Sequence, residues 1–76
     1  MQPQFQTKDL YLASYLYAKN AKFIGIERHS KQCYFLFGSK SYCEDLQQEY
    51  FAKTGQVVGK EFADAIRTLK DLLFEN

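Results

Sequence analysis

Tryptophan is missing from this 76-residue chain, and proline, methionine and histidine occur once each. With His29 the sole imidazole, a nucleophile has almost no choice of base, and Ser30 is merely its chain neighbour rather than a held partner. His29, Cys33 and Cys43 supply three soft donors, one short of a structural zinc set, and the two cysteines form no C-x-x-C pair. The four glycines stand singly, so there is no loop to cradle a phosphate. No apolar run approaches the roughly 18 residues that a spanning helix needs. These absences argue against an enzyme, a metal centre, a cofactor, a small-molecule substrate and a membrane partner. Met1 to Leu10 is polar and unlike a secretory leader, so the expected compartment is the cytoplasm, with both thiols reduced and structural.

What is present is aromatic. Seven Phe and six Tyr carry large apolar areas on few rotatable bonds. That matters at this length, where a domain hides only about 60% of the surface its unfolded chain exposes. One domain, 1–76, is expected, with 1–5 loosely ordered. The net charge of +1 conceals a split: residues 1–40 hold six basic against two acidic side chains, and 41–76 hold four against seven. Such asymmetry can mark a surface that faces a partner.

Thr7 is a plausible N-cap, Asp9 suits a first turn, and Asn20 can take the left-handed conformation that ends a helix, placing one helix over 8–19. Apolar residues spread around most of its circumference, so it should touch more than one neighbour. Phe23–Arg28 and Gln32–Phe37 read as a hairpin turning at His29-Ser30-Lys31. Its register sets Arg28 opposite Cys33, Ile26 opposite Phe35 and Ile24 opposite Phe37, with the last two pairs facing the core. Phe23, Gly25, Glu27, Tyr34 and Leu36 fall on the other face, which is too apolar for plain solvent exposure. Ser41 and Glu44 have the spacing of a capping box, opening a helix over 42–53 that ends at Gly55. A final helix covers 60–74 with a stripe of Phe62, Ile66, Leu69 and Leu73.

The fold expected is α+β, a β-hairpin packed against three helices in the order αββαα. The second strand, uncharged and strongly β-prone, reads as an open edge on which a second copy could extend the sheet. Residues Lys31 to Phe37 bear a faint likeness to the aromatic strand of RNA-recognition modules. Lys19, Lys22, Arg28, Lys31 and Lys40 surround the hairpin, and with Tyr34 they form a candidate nucleic-acid-binding set. Phe23, Tyr34 and Leu36 form a candidate protein interface.

Taken whole, Phe5-Gln6-Thr7-Lys8-Asp9-Leu10-Tyr11-Leu12-Ala13, Tyr34-Phe35-Leu36-Phe37, Tyr50-Phe51, and Phe62 with Ala65 and Leu69-Lys70 resemble a family of short bacterial proteins known only as domain of unknown function 5659. The likeness runs from about Phe5 to Phe74. It departs at Gly38-Ser39-Lys40, where the family pattern leads one to expect an acid. What the resemblance implies is a stand-alone accessory protein of bacterial, phage or mobile-element origin. Two functions fit these readings: a non-enzymatic accessory protein associated with nucleic acid or a nucleic-acid-processing partner, or a protein-binding or self-assembling module.

Overall fold

The computed structural model describes residues 4–74. The chain runs β1 (Phe5–Thr7), α1 (Leu10–Ala18), β2 (Phe23–His29), β3 (Gln32–Phe37), α2 (Lys40–Ala52) and α3 (Gly59–Phe74). This is the expected hairpin and three helices, preceded by a short strand. The sheet is antiparallel in the order β1-β3-β2. The strand expected to be an open edge is therefore central over Phe35–Phe37, because three residues before α1 pair along it, and only Gln32–Tyr34 at the hairpin end has no strand on that side among the described residues. Of residues 1–5, expected to be loose, 1–3 lie outside the described residues and Phe5 is buried.

Side-chain alternation sorts the sheet into rows. Phe5, Phe37 and Phe23 stand abreast, as do Thr7, Phe35 and Ile26, and both rows face the helices. Between them Gln6, Leu36 and Gly25 face the opposite way. The expected pairs Ile26–Phe35 and Arg28–Cys33 are present, but Ile24 does not oppose Phe37. A bulge between Phe23 and Gly25 adds one residue to β2, which brings Phe23 across from Phe37 and leaves Ile24 46% exposed. Gly25 has φ 157°, a value side chains with a Cβ rarely take, which is why the extra residue is accommodated here. Phe23 thus leaves the candidate interface: its ring meets Phe37 edge-on at 5.4 Å and Tyr17 at 5.7 Å, inside the helical layer.

Helix α1 is the element around which the others gather. Asp9, rather than Thr7, is its N-cap, with Oδ1 accepting from the Tyr11 N–H at 2.9 Å and the Leu12 N–H at 3.2 Å, while Thr7 Oγ1 accepts from Asp9 N–H. Five consecutive residues, Leu12 to Leu16, are buried, as its broad apolar circumference implied. Ser14 is among them, and its hydroxyl donates to the Leu10 carbonyl one turn back. Asn20 closes the helix at φ 68°, with Ala21 N–H bonded to Leu16 O and Asn20 N–H to Tyr17 O, the paired bonds of a Schellman motif. The core joins Leu12 and Leu16 to Phe35 and Phe37 from the sheet, Cys43 and Leu46 from α2, and Leu69 from α3. Ala65 lets α3 lie close against α1, its main contact.

The ends of α2 differ from expectation. The helix begins two residues early, at Lys40, with Ser39 as an N-cap at φ 58° that makes no side-chain bond, so the Ser41–Glu44 box lies inside the helix. It ends at Lys53, held left-handed at φ 62°, with Thr54 N–H bonded to Glu49 O. Gly55 serves another purpose. A Cβ there would overlap the phenol of Tyr15, whose O–H donates to Glu49 Oε1 at 3.2 Å, so only glycine lets the loop cross this ring.

Two measurements check this account. Gly55→Ala should destabilise the domain by about 1–3 kcal/mol, the range for overpacking, whereas Lys53→Gly should stabilise it by about 1 kcal/mol by removing left-handed strain. Urea titrations that rank the two variants in the opposite order contradict it. Burial, then the hydrogen bond to Glu49 and that residue's charge, raise the Tyr15 pKa above its ordinary 10.0. Folding thus favours the protonated phenol; its contribution is intact below pH 10.0 and is lost as pH climbs through the raised value. Tyr15→Phe should cost about 1 kcal/mol at neutral pH yet flatten the alkaline limb of the stability profile relative to wild type.

Candidate functional site

The helices cover one face of the sheet and leave the other open. Tyr34 and Leu36 on β3 are half-buried by their strand neighbours alone, and neither belongs to the core cluster or to the hydrophobic residues packed on it. Ile24, pushed out by the bulge, joins them. Gln6, Glu27, His29 and Gln32 frame these three. The frame is internally bonded: the Tyr34 hydroxyl donates to Gln32 Oε1 at 2.8 Å, His29 Nε2 contacts the Glu27 carboxylate, and the His29 ring meets that of Tyr34 edge-on at 6.0 Å. Glu27 lies directly across from Tyr34 in register. Imidazole, carboxylate and phenol thereby hold one another against the sheet, and no serine or cysteine shares the network among the described residues.

The basic candidates do not gather on this face. Arg28 points to the helical side at the hairpin tip, where Nη2 donates to the Leu73 carbonyl at 3.0 Å and the Leu72 carbonyl at 3.5 Å while Nη1 reaches Cys33 Sγ at 3.3 Å. The guanidinium caps the C-terminus of α3, where unpaired carbonyls and the helix dipole favour a cation. Lys31 is exposed in the turn beside it. Lys22 lies at the other end of β2, roughly 20 Å away by strand rise, with its stem against Gly38. Lys40 starts α2 at that same end. Lys19 Nζ donates to the Gln56 carbonyl at 2.8 Å and sits 5.9 Å from the Tyr15 ring centre, tying the α2–α3 loop to α1. Tyr42 adds to that tie by donating to Lys19 O at 2.9 Å. Of the six nucleic-acid candidates, Arg28, Lys31 and Tyr34 are neighbours, and Lys19, Lys22 and Lys40 are remote from them. Of the interface candidates, Tyr34 and Leu36 share the open face and Phe23 does not.

Both cysteines are unbridged, Cys43 buried and Cys33 half-buried. Burial pushes the Cys43 thiol up in pKa, and it donates to Gly38 O at 3.4 Å, the behaviour of a small core side chain. No cluster of three or more His, Cys, Asp or Glu with metal-binding geometry exists among the described residues. No helix among them is long and apolar enough to cross a membrane. Sequence reasoning missed Ile24 and the Arg28 cap. The Ile-Gly step at 24–25 was the available signal for a bulge, whereas nothing local announces that Arg28 reaches a helix end 44 residues later.

These features define a small two-layer α+β domain with one bare sheet face. The chain matches the family model Domain of unknown function (DUF5659) over residues 2–75 and belongs to that family. No curated protein and no solved structure matches it.

If Arg28 caps α3, Arg28→Ala should lower stability by about 1 kcal/mol and speed amide exchange in the last turn of α3, leaving α2 unaffected. Uniform change across both helices would contradict a local cap.

Proposed function

We propose that this domain is a non-enzymatic binding module that engages a protein partner with the open face of its sheet. The observation that carries this reading is the grouping of Ile24, Tyr34 and Leu36 on a face that no helix covers. A bound protein would bury these apolar groups, while Glu27, Gln32 and His29 supply a polar rim of the kind that surrounds protein interfaces. The edges of the sheet favour face-on docking over strand addition. The bulge at Ile24 and the charges of Glu27 and Arg28 blunt β2, and β1 is only three residues long. A three-stranded face of this length offers roughly 300 Å² by strand spacing, well below the about 800 Å² per partner of a stable complex, so the contact is transient or the partner reaches beyond the face. That shortfall also weighs against a permanent homodimer. Two unbridged thiols suit the reducing cytoplasm, where we place the module.

The nucleic-acid reading is weaker on geometry. Stacking a base on Tyr34 would bring a phosphate chain toward Glu27, and the lysines needed to neutralise it are spread over both ends of the sheet. Incorporating a photo-crosslinking residue at Ile24 in the native host should yield discrete protein adducts that Leu36→Glu abolishes while circular dichroism stays unchanged. Salt-sensitive oligonucleotide binding, lost in Tyr34→Ala and Lys31→Glu, would overturn the protein reading in favour of nucleic acid.

A further inference from the structure

Apart from the open face, the hairpin tip, the start of α1 and the end of α3 border a wide-mouthed cleft of about 490 Å³. Its floor is apolar, made by Leu10, Phe35 and Leu73, and Lys8, Arg28 and Lys31 stand around it. No acidic residue lines it among the described residues. The volume falls within the roughly 300–1,000 Å³ of small-ligand sites. The C-terminus of α3 contributes about half a negative charge, which offsets part of Arg28 and leaves Lys8 and Lys31 without an ion-pair partner among the described residues. Arg28 spends two of its nitrogens on Cys33 and the α3 carbonyls, so its position is fixed while part of its donor fork stays free for an oxyanion.

We propose that this cleft binds a small anionic amphiphile, a carboxylate carried on a hydrocarbon body of medium length. The apolar floor and the cationic rim each supply half of that recognition. A bare phosphate or acetate would leave the half-buried Leu10 and Leu73 wet, and a neutral alcohol would leave the lysines without a counter-charge. Nucleic acid fits poorly because its charge is distributed along a chain and not placed at one end of an apolar body. This is a ligand class that composition and motifs did not disclose, and it is independent of the open-face reading.

Cys33 lies in the wall of the cleft and reports on its occupancy, while buried Cys43 serves as an internal reference. Using the full chain, the alkylation rate of Cys33 by N-ethylmaleimide is followed by mass spectrometry with decanoate, decanol or acetate present. Decanoate should slow labelling of Cys33 about fivefold or more at saturation, and decanol and acetate should have little effect. In the double variant Lys8→Gln with Lys31→Gln, both exposed positions, the half-protecting decanoate concentration should rise about tenfold. Absence of protection, equal protection by decanol, or an unchanged midpoint in the double variant would overturn the proposal. Protection seen only with phosphatidylglycerol vesicles, and not with free decanoate, would overturn it in favour of a membrane surface.

Discussion

The row formed by Phe5, Phe37 and Phe23 across three strands is the constraint on which the rest of the domain depends. Phe37 is fully buried, and it can be so only because a neighbour closes in from each side. One flank is provided by a strand of three residues, the other by the bulge that turns Phe23 inward. Were β2 regular, Ile24 would face the helices and Phe23 the solvent, since a one-residue slip sends each later side chain to the opposite face. The aromatic row then gives α1 an apolar bed, and α1, buried over five consecutive residues, gives α2 and α3 theirs.

The same displacement creates the open face. Packing Phe23 inside ejects Ile24, which lands beside Leu36 and Tyr34. The arrangement at the tip has a comparable logic. Beyond Ile26 the inner side of the hairpin outruns the helices, and the position that would have continued the core is Arg28. Its long stem spans the gap and its charge meets the end of α3, so a polar residue closes a layer that hydrophobes could not reach. Both surfaces are thus by-products of how a thin core is completed at its margins.

Much of this was legible beforehand. Helix order, hairpin register near the turn, the left-handed end at Asn20 and the stripe of α3 all follow from local periodicity and turn chemistry. What was not legible depended on partners distant in sequence. Phe5-Gln6-Thr7 is too short for alternation to register, and only β3 makes it a strand. The Ser41–Glu44 spacing fits a capping box, but the helix starts earlier because the chain turns left-handed at Ser39. Gly55 looks like a helix stop and is instead a clearance for Tyr15, 40 residues away in the chain. The basic residues drew attention as a set because they cluster in the first half of the sequence, yet a strand carries successive residues from one end of the molecule to the other and disperses such a set.

Asn20, Ser30, Ser39 and Lys53 all have positive φ, and none of them is glycine. Each sits where one element gives way to the next, and such backbone strain is worth about 1 kcal/mol per residue for an ordinary side chain. Small domains fold by a margin of about 5–15 kcal/mol, so the junctions consume a noticeable fraction of what the aromatic interior supplies. A chain built this way responds to modest changes in temperature or sequence with large changes in the amount of folded molecule a cell retains.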